Sequence, residues 1–129
     1  MSRNFRELLE AKWEEGKSVC VGLDPDMAKI PQSVRDTCAW DDDVFFSFNA
    51  KIIDATKDIV CAYKPNSAFY ERHGEEGMKA LRKTIDHIHH VVPDVPVILD
   101  VKRADIDNTN LGYVRSAFEE FEADAVTVH

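Results

Sequence analysis

The chain is short of the residues that punctuate or staple a protein. Its 5 glycines and 5 prolines stand singly among 129 residues, so no Gly/Ser or Pro-rich linker and no low-complexity tract divides it. The 3 cysteines, Cys20, Cys38 and Cys61, form no C-x-x-C pair, and an odd number cannot all pair within one chain. A disulfide framework is excluded on that ground, and reduced thiols in a cytoplasmic protein are expected. No apolar run approaches the roughly 18 to 20 residues of a membrane helix. Residues 1–7 lead into a charged amphipathic stretch with no signal-peptide core. Positive charge is also in deficit: 16 Lys and Arg stand against 24 Asp and Glu, a net charge of −8. Such a chain is a poor non-specific binder of phosphate backbones, which argues against nucleic acid as a partner, although net charge says nothing about one pocket.

What is present is a globular pattern. A hydrophobic content of 44% with 31% charged residues suits a soluble domain, and the length allows one such domain, residues 1–129. Two hydrophobic periods alternate along it. Phe5, Leu8, Leu9 and Trp13 fall at helical spacing, with Ser2 or Asn4 as candidate caps. Residues 18–23 read as a short buried strand ending at Asp24. Residues 25–43 read as a long loop with a helical turn. Asp43 is a candidate cap for a helix in which Phe45, Phe48, Ile52 and Ala55 share a face. Residues 59–63 form a second strand, stopped at Lys64-Pro65-Asn66. Met78, Leu81, Ile85, Ile88 and Val92 recur at intervals of 3, 4, 3 and 4, an amphipathic helix ended by Pro93. Residues 95–99 form a third strand. Leu111, Val114, Phe118 and Phe121 mark a further helix, and residues 125–128 form a fourth strand.

This α-β-α-β-α-β-α-β order implies an α/β protein with a parallel sheet covered by helices. Ligands of such folds bind at the carboxyl ends of the strands. Here those ends carry Asp24, Lys64, Asp100 with Lys102, and His129, with Asp105 following in a loop. Asp100 and Lys102 are two apart, which in an extended strand puts them on one side. Buried charges cost several kcal/mol each unless paired, so stability alone would not select this array. An ammonium group held by carboxylates stabilises a developing carbanion and protonates it, and a fixed carboxylate disfavours a substrate carboxylate in the ground state. Any one of these residues is more simply a strand-end ion pair; the whole set at one rim points to a site.

At these residues the sequence resembles a known family. Asp100-Val101-Lys102-Arg103-Ala104-Asp105-Ile106, continuing to Asn108-Thr109, is similar to the signature of orotidine 5′-phosphate decarboxylase. The D-x-K-x-x-D element is shared with sugar-phosphate relatives, while the Lys-Arg-x-Asp-Ile-x-Asn-Thr form is more specific. Residues 21–24 resemble that family's first strand, and residues 62–66 with Phe69-Tyr70-Glu71 its second. Gly74 and Gly77 sit where its next helix begins, and the match runs from about Val19 to His129. The resemblance implies a (β/α)₈ barrel, of which ~250 residues is a typical length, so that only the first four βα units stand here. It implies conversion of orotidine 5′-monophosphate to UMP and CO₂ with no metal or organic cofactor. Asp24 would hydrogen-bond ribose hydroxyls. Lys64 would contact the ribose and Asp100. Asp100 would sit beside the leaving carboxylate, and Lys102 would protonate C6. Asp105 would reach across a homodimer interface to the partner's lysine and ribose, with Ile106 and Thr109 lining the same foreign site.

Asp107 stands where that family very often has Gly. The residues that would contact the pyrimidine and grip the phosphate belong to later strands and are not in this sequence. Two other readings follow: a metal-dependent sugar-phosphate decarboxylase or aldolase relative, and a non-catalytic half-barrel that assembles with a separate chain. Four strands without the rest leave open sheet edges and an exposed apolar interior, which predicts association. Other chemistry-bearing residues have plainer readings. His87, His89 and His90 read as a solvated helix face, because Ile85 and Ile88 hold the buried stripe. The triplet Asp41-Asp42-Asp43 reads as a loop and cap, and Cys20 and Cys61 as small core hydrophobes. His129 reads as structural, and Arg103 as either structural or at the site mouth.

Overall fold

The computed structural model describes residues 3–129, excepting the side chains of Asp41 and Asp42. Ser2 as a cap, and the side chains of those two aspartates, therefore lie outside the described residues. Asn4 takes the capping role: its side chain accepts hydrogen bonds from the N–H groups of Arg6 and Glu7 at the start of α1 (Phe5–Glu14). The order continues β1 (Val19–Gly22), α2 (Gln32–Arg35), α3 (Asp41–Thr56), β2 (Val60–Lys64), α4 (Ala68–Glu71), α5 (Gly74–Val91), β3 (Ile98–Leu99), α6 (Asp107–Val114) and β4 (Ala125–Val126). A π-helical turn, Arg115–Glu120, prolongs α6.

The strands are parallel and follow one another in sequence order. β1 pairs with β2, and β3 with β4. The two pairs are joined by parallel bridges between Tyr63 and Val97 and between Asn66 and Asp100. The core lies where α3 and α5 pack together over these strands, and Phe45, Ile53, Tyr63, Leu81, Ile85, Ile88 and Val97 are fully buried there. The stripe on α5 is the one its spacing predicts. Gly77 is needed at the start of α5 because a Cβ there would lie 1.9 Å from the Tyr70 carbonyl oxygen. Gly74, at φ +60, opens the helix from the left-handed region that glycine enters without steric cost.

Several expectations are corrected. α3 begins at Asp41 with Trp40 at the cap position and no side-chain cap, so Asp43 lies inside the first turn, where it pairs with Lys83 at 2.9 Å. The buried face of α3 runs through Phe45, Asn49 and Ile53, and Ala55 is exposed. β1 is not a buried strand: it pairs on one side among the described residues, and Val19 and Cys20 are exposed. Cys61, on the inner strand β2, is buried as expected. The stripe Leu111, Val114, Phe118 is exposed, and α6 buries no residue. The π turn widens the helical period, so Ala117 rather than Phe118 meets the core. Val114 and Phe118 instead line an apolar pocket of about 400 Å³ with Val101, Val126 and Val128. Nor is the histidine cluster a solvated face. His87 packs edge-on against Phe46, and His89 Nε2 lies 3.9 Å from Asp124 Oδ2, because α3 and the strand ends flank α5 on both sides; His90 is exposed.

Candidate active site

Asp100 follows β3 directly, where the chain leaves the sheet. Its main chain is held against the end of β2: its N–H donates to the Pro65 carbonyl at 2.9 Å, and its carbonyl accepts from Ser67 N–H at 3.1 Å. That fixes a buried carboxylate, 4% exposed, between three donors. Lys64 Nζ donates to Oδ2 at 2.5 Å, while Lys102 Nζ and Thr127 Oγ1 both donate to Oδ1 at 2.6 Å. Burial pushes the Asp100 carboxyl up. The hydrogen bonds from Lys102, Lys64 and Thr127, with the charge of Lys64, outweigh burial and hold it well below the ordinary carboxylate range. A carboxylate ionised at ordinary pH thus carries an ammonium group on each oxygen. The two lysines remain open to a ligand, with side chains 38% and 59% exposed for Lys64 and Lys102.

Lys102 and Asp100 do meet, but not through strand alternation. β3 ends at Leu99, and Lys102 stands at φ +47, a left-handed residue. A turn brings its ammonium back onto the carboxylate two residues earlier. The Lys102 N–H is anchored by Thr127 Oγ1 at 3.1 Å.

Asp24 stands just beyond β1. Its Oδ1 accepts the Asn66 N–H at 3.0 Å, which ties it to the end of β2 beside Lys64. The preceding carbonyl, of Leu23, accepts from the buried Tyr70 hydroxyl at 2.6 Å, and that hydroxyl also accepts from Asn49 Nδ2 at 2.9 Å. Burial pushes the Tyr70 hydroxyl pKa far up, so it stays a donor at ordinary pH. The remaining candidates lie apart from this group. Asp105 is exposed; its Oδ1 accepts from Ile106 N–H at 2.7 Å, and its own N–H donates to Asn110 Oδ1 at 2.8 Å. Ile106, at 74%, and Thr109 are exposed on the same segment. Asp107 begins α6 with no side-chain cap at Ile106 before it. Arg103 pairs with Glu71 and lies 5.7 Å from the Tyr113 ring, so it links the loop after β3 to α4 and α6. His129 is exposed and lines the apolar pocket.

Reading the sequence by its charges passes over Thr127, Asn66 and Tyr70. Thr127 had a signal, being the one polar residue in the run Ala125-Val126-Thr127-Val128 at a strand end. Asn66 acts through its main chain, which no side-chain pattern reveals. Among the described residues no group of three or more His, Cys, Asp or Glu is arranged to hold a metal ion, and no helix is long and apolar enough to cross a membrane.

The arrangement of strand-end Lys, Asp and Lys can be set beside known proteins. An orotidine 5′-phosphate decarboxylase of Dechloromonas aromatica is 47% identical over 127 residues, which cover 97% of this chain and 44% of that protein. One from Flavobacterium johnsoniae is 44% identical over 123 residues, covering 95% and 44%. The structure of Leishmania donovani OMP decarboxylase superposes with a TM-score of 0.81 at 34% identity, over 98% of this chain and 44% of that one. The chain thus spans less than half the length of these three relatives. A family model matches residues 17–129, which include every residue of the Asp24, Lys64, Asp100 and Lys102 group, and the chain accordingly belongs to the orotidine 5′-phosphate decarboxylase / HUMPS family.

Proposed function

We propose that residues 1–129 are the first four βα units of a (β/α)₈ barrel that decarboxylates orotidine 5′-monophosphate to UMP in de novo pyrimidine biosynthesis. The observation that carries this reading is the single Asp100 carboxylate holding Lys64 and Lys102 at the carboxyl ends of parallel strands. The strand order supports the barrel: β1 to β4 advance in one direction, without the reversal that marks a doubly wound sheet. The exposed apolar residues of α6 and the pocket beside β4 suit a face covered by further βα units, from the same chain or from a separate one.

In this mechanism the substrate carboxylate sits against Asp100, whose ionisation by its three donors makes the contact repulsive in the ground state. As CO₂ departs, negative charge builds on C6, and the Lys102 ammonium stabilises it and transfers a proton there. Lys64 holds Asp100 and a ribose hydroxyl, and Asp24 accepts from the ribose. Asp105, Ile106 and Thr109 stand exposed on one segment, which suits a cytoplasmic homodimer in which they complete the neighbouring site. The step needs no metal or organic cofactor.

The test is an assay of the full-length protein with orotidine 5′-monophosphate in EDTA. Release of CO₂ and UMP at an undiminished rate supports this reading. Turnover that requires a divalent cation, on a sugar phosphate instead, identifies the D-x-K-x-x-D relative. No turnover on either class, with stable association of the 129-residue chain in size-exclusion chromatography, identifies the non-catalytic assembly partner.

A further inference from the structure

We infer that Thr127 is a positioning residue that sets the geometry of the Lys102 ammonium from both ends of that lysine. The inference rests on the reading of Lys102 as the proton donor. One hydroxyl makes two contacts of opposite sense. Its oxygen accepts the Lys102 main-chain N–H at 3.1 Å, and its proton goes to Asp100 Oδ1 at 2.6 Å. The polarity is forced, because a peptide N–H only donates and an ionised carboxylate only accepts. The same Oδ1 receives Lys102 Nζ at 2.6 Å. Thr127 therefore closes a ring running from the Lys102 N–H through the hydroxyl and the carboxylate to the ammonium of the same residue.

Two further facts give that ring a task. Lys102 stands at φ +47, a conformation an L-residue keeps only when its surroundings impose it. Its side chain is 59% exposed, so packing does little to hold it. The hydrogen bond on its N–H and the shared oxygen are what pin it. Thr127 is itself placed by β4: its N–H donates to the Leu99 carbonyl at 3.2 Å, next to Asp100. A β-branched side chain has few rotamers, so Thr127, directly after β4, presents the hydroxyl in a fixed direction. The fourth strand thus acts on the chemistry of the third without touching substrate.

The test compares T127V, which removes the hydroxyl, with T127S, which keeps it, in the full-length protein on orotidine 5′-monophosphate. With a misplaced proton donor, kcat of T127V falls by about 10- to 100-fold while KM moves by less than about 3-fold. T127S stays within about 5-fold of the unmutated kcat, since it can restore both hydrogen bonds. A T127V kcat within about 2-fold of the unmutated protein, or a T127S as impaired as T127V, overturns the inference. Amide hydrogen exchange at Lys102 reads the ring without turnover: protection is retained in T127S and lost in T127V, and unchanged protection in T127V overturns the ring. If the unmutated protein does not decarboxylate orotidine 5′-monophosphate, the functional reading fails, and the exchange experiment decides the ring by itself. Should T127V not fold, T127A enters the same comparisons.

Discussion

Two buried carboxylates sit at opposite ends of the same strands and are used differently. Asp100, at the carboxyl end of β3, is held by Lys64, Lys102 and Thr127. Asp124, just before β4, takes the Arg3 guanidinium on both oxygens at 2.7 and 3.0 Å and the Val97 N–H at 2.8 Å. Both are pushed up by burial and pulled below the usual range by their donors, Asp124 to about 2 through His89, Arg3 and Val97. The difference lies in what the cations have left. Arg3 also donates to the Pro93 and Val95 carbonyls, and its side chain is 27% exposed. All three nitrogens of that fork, and four of its five N–H groups, are committed to protein. Lys64 and Lys102 each hold Asp100 through one of three ammonium protons and are more exposed. A cation with nearly all its donors on protein suits fastening the chain, whereas cations with donors to spare suit the proposed site.

The largest effect separates these roles by activity. In the full-length protein Lys102→Ala lowers kcat by about 10²- to 10⁴-fold, the range of a lost general acid, and leaves the protein folded, with Lys64 and Thr127 still donating to Asp100. Arg3→Ala does the reverse. It leaves kcat within about 2-fold and costs about 2 kcal/mol by urea denaturation, because a side chain buried at Asp124 loses its paired cation. A Lys102 variant that unfolds while retaining turnover, or an Arg3 variant that loses turnover while staying folded, would invert the assignment.

The second carboxylate also predicts a pH dependence. Asp124 has a folded pKa of about 2 against an ordinary 3.8. A depressed carboxyl contributes stability that is present above its unfolded pKa and lost as pH falls through its folded one. The contribution, about 2 kcal/mol, is complete above pH ~4 and fades toward pH ~2. Urea titrations of the unmutated protein and Arg3→Ala should then show their widest gap above pH ~4, narrowing as the solution is acidified through that window. A gap that stays constant down the series would mean that Arg3 acts by packing alone.

How far the sequence reveals all this depends on what carries each feature. Side chains in a regular period were legible, as with Leu81, Ile85 and Ile88 on α5, and so were ionisable residues where a strand stops, as with Lys64 and Asp100. Three kinds of feature were not. Period alone does not show which face finds a neighbour, so Val19, Cys20, Val114 and Phe118 read as core and are exposed. A π turn leaves no composition signature, although it changes which residue of α6 and its extension turns inward. Contacts made by main chain or by a lone hydroxyl, at Asn66 and Thr127, carry no charge to draw the eye. Strand alternation also predicts that Asp100 and Lys102 meet, but a left-handed turn is what brings them together.

The smallest expected effect compares two lysines. Lys12 is the buried residue of α1, 2% exposed, and its ammonium pairs with Glu15 at 2.8 Å and with Asp94. Burial pulls its pKa down, and the hydrogen bonds it donates to these two carboxylates overcome that and raise it, so it is charged through the working range. Its partners are 45% and 63% exposed for Glu15 and Asp94, so water satisfies both carboxylates if the ammonium is lost. Replacing such an ion by an apolar chain of similar length is close to neutral, and Lys12→Met should change stability by less than about 1 kcal/mol. Lys64→Met is a matching change at the other end of the strands, but it leaves Asp100, 4% exposed, with one ammonium fewer. Turnover should then fall by at least about 10²-fold, with KM rising as the ribose contact is lost. If the two methionine variants behave alike in turnover, the contrast between a fastening end and a reacting end fails at its most direct point.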